Sequence, residues 1–438
     1  MLSQLSRLHS KVSFKRSVMS LVGKRFAFIL PRYYPGVVGG AETLCGELAR
    51  KAYEGGSTVE IWTTCARDNR SWENDFPEGI EDYAGIPIRR FSVDERDLEQ
   101  WIPLQIRLAQ GVNLSVDEQF TWMKESVNST SLYEHISEHH QDFDALFFAP
   151  YLFGTTFWGA LLSPERSILI PCLHDEANAY LEIVSSMFRQ VRGCLFNAEP
   201  EAELARALYG KHLRGGVVGM GFEDTAPLNR DNSVEHQQFF KDDTTSYVLY
   251  LGRMETGKNA HILLDHFVEG KEQGLIPKEL RLVIAGGGAF SDLERPQYSE
   301  RTDILPVGRV SEEEKYLLLR DALALIQPSV NESFCIVMME AWLAGTPVLV
   351  SDACAVTKDH VLRSGGGLYF RDTLDLAGAL KTLAEDSALQ AELGDSGKRY
   401  VKTQYNWQAV MGRFEEEVGR LLKANTDNRK ASPEEKSV

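Results

Sequence analysis

Short apolar runs alternate along this chain with stretches in which apolar residues recur every three to four positions. The runs are rich in Val, Ile, Leu and Phe and predict buried β-strands, whereas the periodic stretches predict amphipathic helices. In the first half the predicted strands are 26–30, 59–63, 86–91, 145–149, 168–173 and 194–197. In the second half they are 247–251, 280–285, 304–307, 322–326 and 348–351.

This alternation predicts an α/β protein with two doubly wound, Rossmann-like domains, each a parallel sheet wrapped by helices. Residues 25–221 form the predicted N-terminal domain and residues 246–405 the C-terminal domain. The segment between them, 222–245, is polar and aperiodic and is the predicted linker. Because ligands of open α/β sheets bind beyond the carboxyl ends of the strands, two facing sheets predict a site in an interdomain cleft.

Residues 94–140 depart from the simple alternation. They combine helical patterns with the aromatic residues Trp101, Phe120, Trp122 and Tyr133. Two interpretations stay open: an insertion that shapes the mouth of the cleft, or ordinary packing helices.

The two ends of the chain differ in charge and polarity. Residues 1–24 form a basic leader. Its pattern is consistent with a membrane-surface helix, an organellar transit peptide or a disordered tail. We favour disorder for this leader. The polar residues 423–438 predict a disordered tail.

Composition narrows the class of protein. A chain of 438 residues is longer than one hydrophobic core usually serves, which agrees with two domains. The first 25 residues hold six of the 47 bases and no acid, so the rest carries 41 bases against 63 acids and is an unlikely surface for nucleic acid. No apolar run approaches the ~20 residues of a membrane span. Six scattered cysteines without paired spacing predict a reduced, cytoplasmic protein.

The most informative motif holds two carboxylates, Glu332 and Glu340. An apolar run, a loop and a helix-forming stretch follow one another here, so Glu332 is predicted in the loop and Glu340 in a helix that starts near Cys335 or Ile336. The free N–H groups at the start of that helix suit a diphosphate. At about 1.5 Å rise per residue the carboxylates lie on the order of 10 Å apart, which suits a long, bipartite ligand such as a nucleotide-sugar.

Two further turns carry candidate anion-binding groups. Gly39 and Gly40 precede the first helix and allow a bulky anion to approach the backbone, although such pairs also serve turn geometry alone. Arg253 and Lys258 flank the turn after the first strand of the second half, where two cations could neutralise a diphosphate leaving group. Taken alone, this turn could equally be a solvated one.

His174 follows a predicted strand, at an edge where cleft residues belong. It could hydrogen-bond a sugar hydroxyl or be structural, and Asp175 could orient it or cap the next helix.

Metal and cofactor sites are poorly supported. His139, His140, Asp142 and Asp144 precede a strand at its amino end, away from the predicted cleft, and are interpreted as surface residues. No Walker-type phosphate loop is present, and the glycines at 286–288 lack the Rossmann spacing. Neither ATP nor NAD is expected, and the sequence predicts no metal site and no cofactor.

Together these motifs resemble the retaining glycosyltransferases of family 4 (glycosyl transferases group 1), which have the GT-B fold of two facing Rossmann-like domains. The resemblance spans roughly residues 25–422. The residues that carry it are Gly39, Gly40, Arg253, Lys258, Glu332 and Glu340.

The resemblance implies a metal-independent hexosyltransferase of EC class 2.4 that retains the anomeric configuration. Its donor would be a UDP-sugar or GDP-mannose, and its acceptor a glycan, a glycolipid or a polysaccharide precursor. Such an enzyme would be cytoplasmic, with an optional peripheral contact to the cytoplasmic face of the membrane. The N-terminal domain would take the acceptor and the C-terminal domain the donor, and a helix over 406–422, carrying Trp407, would pack back on the N-terminal domain.

The resemblance also implies roles for single residues. Glu332 would contact the donor sugar, Glu340 the ribose, and Arg253 and Lys258 the diphosphate, while His174 would reach the sugar from the opposite domain. The backbone that would support the sugar and phosphates belongs to Ser333, Phe334, Cys335, Ile336 and Val337.

One residue departs from the family, and two other functions stay open. Cys335 stands where the family often has glycine, so its thiol could narrow the choice of donor. One alternative is a UDP-sugar epimerase of the same fold, which would need acid and base carboxylates in the first half, where Asp175 and Glu176 are the only clear pair. The other is a non-catalytic nucleotide-sugar-binding protein.

Overall fold

The computed structural model describes residues 20–37, 39–223 and 246–430. Most of the predicted leader, nearly all of the predicted linker and the last eight residues lie outside these ranges, so the predictions made for them are not addressed below.

The first half of the chain forms one sheet with helices on both faces. Its strands run in the order β3-β4-β2-β1-β5-β6-β7-β8. They are β1 Arg25–Leu30, β2 Thr58–Thr64, β3 Gly79–Tyr83, β4 Ile86–Phe91, β5 Ala145–Phe148, β6 Ser167–Leu169, β7 Gly193–Phe196 and β8 Gly215–Val217. The helices are α1 Gly40–Glu54, α2 Leu98–Ala109, α3 Val116–Lys124, α4 Thr130–His139, α5 Gly154–Leu162, α6 Glu182–Gln190 and α7 Glu199–Tyr209. All pairs are parallel except the β3–β4 hairpin at the edge.

The second half forms a separate, fully parallel sheet in the order β11-β10-β9-β12-β13-β14. Its strands are β9 Tyr247–Leu251, β10 Arg281–Ala285, β11 Ile304–Gly308, β12 Leu325–Gln327, β13 Val348–Ser351 and β14 Gly367–Phe370. The helices are α8 Ala260–Glu272, α9 Glu312–Asp321, α10 Ile336–Ala344, α11 Ala355–Ser364, α12 Thr373–Glu385, α13 Ser387–Gln404 and α14 Trp407–Lys430. The strand order reverses between β1 and β5 in the first sheet and between β9 and β12 in the second, and these are the points where such sheets bind ligands.

Three strands were not predicted, and the predicted strand before His174 ends four residues early. Strands β3, β8 and β14 lie at sheet edges, and β8 and β14 contain glycines that weaken the strand pattern. The predicted strand 168–173 ends at Leu169, because Pro171 has no N–H to donate and Cys172 adopts a positive φ of 51°. The loop that carries His174 therefore starts earlier than expected.

A single apolar cluster joins the two halves. It contains Phe28 and Phe147 from the first sheet together with Leu249 from the second. Separate clusters fill the outer face of each sheet, one around Trp62 and Trp122 and the other around Phe267. The two units therefore share a hydrophobic core on their facing sides, which fixes where the carboxyl edges of the strands meet.

The atypical stretch 94–140 holds helices α2 to α4 on the first unit. Trp122 is buried, and its ring stacks on that of Trp101 with centroids 6.5 Å apart. Phe120, in contrast, is exposed and faces Trp158 at 6.1 Å. Trp101 and Trp122 thus belong to the apolar core of this unit, as the interpretation of packing helices predicts.

The last helix returns to the first unit. Helix α14 contacts β7 and β8, and the ring of Phe414 lies 5.6 Å from that of Phe147 on β5. Lys51 on α1 lies 5.4 Å above the ring of Trp407. The helix continues to Lys430, beyond residue 422 where its end was predicted. Within the described ranges, no helix is both long and apolar enough to span a membrane.

Candidate functional site

The centre of the site is an ion pair between the ends of β9 and β12. Lys258 lies in a short turn after β9, and its Nζ donates to Oε1 of Glu332 at 2.8 Å. Burial lowers the pKa of Lys258, but the charge of Glu332 and this hydrogen bond outweigh it, so the net shift is upward. Lys258 is therefore charged at neutral pH, and the two predicted residues are direct partners.

The start of helix α10 lies beside this pair. Gln327 donates from Nε2 to Oε1 of Glu332 at 3.4 Å and to Sγ of Cys335 at 3.3 Å. Cys335 precedes the helix with φ 70° and ψ 74°, a left-handed conformation that favours glycine. Ile336 and Val337 open the helix, so their N–H groups are among those with no acceptor in the preceding turn. Burial raises the pKa of the Cys335 thiol.

Glu340 lies in α10 as predicted, and its partner comes from α9. Lys315 Nζ donates to Oε1 of Glu340 at 2.8 Å and also lies 2.6 Å from Glu312. Burial raises the pKa of Glu340, and the charge of Lys315 only partly offsets this shift. The carboxylate is thus held by one lysine through Oε1, and among the described residues its other oxygen accepts no hydrogen bond.

Arg253 reaches less deeply into the site. Its Nη2 lies 3.0 Å from Glu255, and its side chain is 53% exposed. The backbone beneath it is fixed, because Tyr250 donates its hydroxyl to the carbonyl of Arg253 at 2.7 Å. The guanidinium stands at the surface near Lys258 and is paired with Glu255.

On the first unit, Gly39 and Gly40 stand where β1 leads into α1. A Cβ at Gly39 would meet the carboxylate of Glu42 at 2.1 Å, whereas a Cβ at Gly40 would meet nothing within 4 Å. Glu42 is held by Arg32, a buried residue whose Nε donates to it at 3.0 Å. A side chain at Gly40 would therefore point into open space, whereas Gly39 is needed to leave room for the Glu42 carboxylate.

His174 follows β6, and Glu176 is its partner. Nδ1 of His174 lies 3.7 Å from Oε1 of Glu176, which also accepts the hydroxyl of Tyr151 at 2.8 Å. Burial alone would raise the pKa of the Glu176 carboxyl. The interactions with His174 and Tyr151 are stronger, so the net shift of this pKa is downward. Asp175 does not orient the histidine, because its carboxylate accepts the hydroxyl of Tyr180 at 2.7 Å instead.

The loops of the two units touch. Burial raises the pKa of the Cys172 thiol, two residues before His174, and Ser333 lies close enough to that thiol to lower its pKa against this effect. Val37, in the loop before Gly39, packs on the same apolar cluster that contains Phe334. These contacts bring the first-unit and second-unit loops together, and we call Gly39, Gly40, His174, Lys258 and Glu332 the interdomain site.

A buried carboxylate supports the first-unit side. Glu201 accepts the backbone N–H of Leu173 at 2.7 Å and that of Asn197 at 2.5 Å, so it joins the ends of β6 and β7. Burial raises its pKa to about 8, although these backbone donors work against the shift. Glu201 thus fixes the backbone next to His174.

Some of these partners were not predicted. Lys315, Glu176 and Glu201 carry no motif of their own, and each becomes significant only through packing. Glu176 could have been inferred, because it lies two residues from His174 in the same loop. Lys315 depends on how α9 packs against α10, which no local pattern reveals.

The residues considered for a metal stay apart from this site. His139 lies 3.4 Å from Asp142, at the amino edge of the first sheet. Among the described residues, no group of three or more His, Cys, Asp or Glu side chains is arranged to hold a metal ion.

Part of the chain is similar in sequence to known glycosyltransferases. Residues 231–400 match the family of glycosyl transferases group 1. The chain is 26% identical over 236 residues to a lipopolysaccharide 1,2-N-acetylglucosaminetransferase from Salmonella typhimurium, an alignment that covers 50% of this chain and 60% of the relative. The chain thus spans less than two thirds of this relative.

Solved structures resemble this one over nearly its whole length. Sucrose-phosphate synthase from Thermosynechococcus elongatus superposes with a TM-score of 0.67 at 16% identity and covers 93% of this chain and 100% of its own. HepE from Anabaena, solved in complex with UDP-glucose, gives a TM-score of 0.63 at 14% identity and covers 92% and 99%. These likenesses confirm the predicted fold, two facing Rossmann-like α/β units of the GT-B type.

Proposed function

We propose that this chain is a retaining glycosyltransferase of family 4 that transfers a hexose from a UDP- or GDP-linked donor to a glycan, a glycolipid or a polysaccharide precursor. The observation that carries the proposal is the Lys258–Glu332 ion pair at the start of α10, in contact with the loop that holds His174. The match of residues 231–400 to glycosyl transferases group 1 supports the same reading.

The proposed donor lies along the second unit. Lys258 and Arg253 bind the diphosphate, and the free N–H groups at the start of α10 add partial positive charge. Glu340, held by Lys315, accepts the ribose hydroxyls. Glu332 contacts the hexose, since its Oε1 is already held by Lys258 beside the phosphates.

The proposed reaction places charge on the leaving diphosphate. As the bond between the anomeric carbon and the phosphate oxygen breaks, negative charge builds on that oxygen, and Lys258 and Arg253 stabilise it. The phosphate oxygen then takes the proton of the acceptor hydroxyl, which attacks the same face of the sugar. His174, positioned by Glu176, hydrogen-bonds the sugar from the first unit.

A panel of UDP- and GDP-sugars tests the function. We expect slow release of UDP or GDP from one donor, a faster release once an acceptor is supplied, and a product with the donor's anomeric configuration by NMR. EDTA leaves the rate unchanged, because side-chain cations carry the phosphate charge. Release of an epimerised free sugar would support the epimerase instead, and binding without any release would support a non-catalytic protein.

Substitution of Lys258 tests the assignment of the phosphate site. Lys258→Ala is expected to lower the transfer rate by about 100-fold, the scale for loss of one preorganised charged group. Lys381→Ala is the matched control, because Lys381 is exposed and pairs with Glu385 one helical turn away. Transfer by Lys258→Ala at close to the wild-type rate would contradict the assignment.

A further inference from the structure

A cavity of about 660 Å³ lies away from the interdomain site, where the two units and the returning helix α14 meet. Helix α7 and strand β8 line it from the first unit, and α11 and the end of α13 line it from the second. It shares no lining residue with the interdomain site. Its function is therefore a separate question from that of the site described above.

Four arginines line this cavity, and for two of them no ion pair with a carboxylate is found among the described residues. Arg206 donates to the carbonyl of Gly215 at 3.3 Å and lies 5.9 Å from the ring of Phe196. Arg413 donates to the carbonyls of Val218 and Gln404. Within the described part of the chain, no carboxylate pairs with either guanidinium. Carbonyl groups satisfy the donors of these two side chains without neutralising their positive charge in a direct ion pair.

A third arginine adds to this charge. Arg363 lies 3.6 Å from Asp359, a long contact, and its side chain is 48% exposed. Burial lowers the pKa of Arg413, and the charge of Arg363 lowers it further. Arg206, Arg363 and Arg413 thus line one cavity from both units, and, against the effect of burial, the carboxyls of Asp359 and Glu199 raise the pKa of Arg363.

The rest of the lining is rich in groups that bind hydroxyls. Glu199, Glu416 and Glu417 supply carboxylates, and Gln404 supplies an amide. Glu417 is already paired with Arg420. Tyr405 contributes a ring that lies 5.4 Å from the guanidinium of Arg413. Carboxylates repel a bare phosphate but accept the hydroxyls of a sugar, so this mixture favours a molecule that carries both.

We propose that this cavity binds a sugar phosphate, with Arg206, Arg363 and Arg413 on the phosphate and the carboxylates on the sugar hydroxyls. Its volume agrees with this class, because pockets for small molecules measure roughly 300–1,000 Å³ and a phosphate ion alone would leave most of it empty. Arg206 belongs to the first unit and Arg363 to the second, so the bound phosphate bridges the two units. Occupancy would then hold the units at one spacing.

The test is isothermal titration of the full chain with glucose 6-phosphate, inorganic phosphate and glucose. We expect glucose 6-phosphate to bind, inorganic phosphate to bind at least tenfold more weakly, and glucose not to bind at the same concentrations. In the double variant Arg206→Gln, Arg363→Gln the affinity for glucose 6-phosphate falls at least tenfold, while the melting temperature stays within a few degrees of wild type. Equal affinity for both phosphates would overturn the sugar part of the proposal.

Two controls make the outcome specific. Arg399→Gln changes an exposed arginine on α13 whose neighbour Tyr400 lines the cavity, and it should leave binding unchanged. Lys258→Ala removes a cation of the interdomain site and should also leave binding unchanged, so the result does not depend on the proposed transferase activity. Absence of binding, or binding that Lys258→Ala abolishes and the double variant does not, would overturn the cavity as the site.

Discussion

Two cysteines in left-handed backbone conformations stand on the two sides of the interdomain contact. Cys172 has φ 51° in the first unit, and Cys335 has φ 70° in the second. A side chain at such an angle brings Cβ close to the next carbonyl oxygen, which costs roughly 1–2 kcal/mol. The loops that meet at the site are therefore held in conformations that their residues do not favour.

Replacement of Cys335 measures this strain. Cys335→Ala keeps Cβ and the strain, whereas Cys335→Gly removes both. Because the relief exceeds the extra entropy that glycine loses on folding, the Gly variant should be more stable than the Ala variant by about 0.5–1 kcal/mol in urea unfolding.

Cys354 provides the matched comparison. It is also a buried cysteine that directly precedes a helix, but its φ is −94°. Here glycine should be less stable than alanine by about 0.5–1 kcal/mol. The strain at Cys335 would be disproved if glycine were the weaker choice at both positions.

Pairing at the residue scale is only partly visible in the sequence. The positions of Glu332, Lys258 and His174 follow from strand ends, which apolar runs reveal. The partner Glu176 could have been inferred from its place in the loop of His174, whereas Lys315 could not, because a lysine on a polar helix face looks the same whether or not a neighbouring element packs against it.

At the scale of elements, an aromatic cluster joins the loop before α10 to the start of α14. The ring of Phe334 lies 5.1 Å from Tyr405 and 5.5 Å from His360. It also stacks on Phe222, at the end of the described part of the first unit, at 6.2 Å. His360 is completely buried, and its Nδ1 lies 3.0 Å from the hydroxyl of Tyr400. The loop that carries Glu332 is thus anchored by rings from both units.

His360 should make stability depend on pH. Burial, aided by the charge of Arg363, lowers its pKa to about 3 in the folded protein, from an ordinary value of 6.5. The unfolded chain then binds a proton that the folded protein does not, so its contribution is complete above pH 6.5 and is lost as the pH falls toward 3. Between pH 6.5 and 5.5 the expected loss is about 1 kcal/mol.

The variant His360→Asn isolates this contribution. Asparagine keeps a hydrogen-bonding atom near the position of Nδ1 but does not titrate. Urea unfolding at both pH values should give a difference about 1 kcal/mol smaller in the variant than in wild type. Equal differences for the two proteins would show that His360 does not set the pH dependence.

At the scale of the whole molecule, the sequence predicts the two units and their central strands more reliably than the edge strands of the two sheets. Central strands such as β1 and β9 are continuous apolar runs because both of their faces are covered. Edge strands such as β8 and β14 are short and contain glycine, so nothing in their composition separates them from loops. The cavity between the two units and α14 was not predicted at all, since its lining arginines lie far apart in the chain and line one cavity only when both units have formed.

The returning helix α14 should stabilise the first unit, although it comes last in the chain. Phe414 is completely buried and packs near Phe147 on β5. Phe414→Ala should lower the free energy of unfolding by about 3–5 kcal/mol, because it leaves a cavity in the shared core. Relative to wild type, backbone hydrogen exchange in this variant should accelerate more in β5 and β7 than in β13 of the second unit.

The control for this change lies on the same helix. Gln408 is exposed, so Gln408→Ala should alter stability by no more than about 0.5 kcal/mol. Faster exchange confined to the second unit in Phe414→Ala would contradict the role of the helix in the first.

The return of α14 to the first unit also has a consequence for synthesis on the ribosome. The first sheet is complete once residue 217 has emerged, but the helix that covers part of it begins at Trp407. At roughly 5–20 residues per second, translation of the intervening segment takes on the order of 10–40 s. During that time the nascent first unit exposes the apolar surface around Phe147 that α14 later covers. A chaperone that binds exposed apolar surface would therefore find its largest target on this unit in that interval.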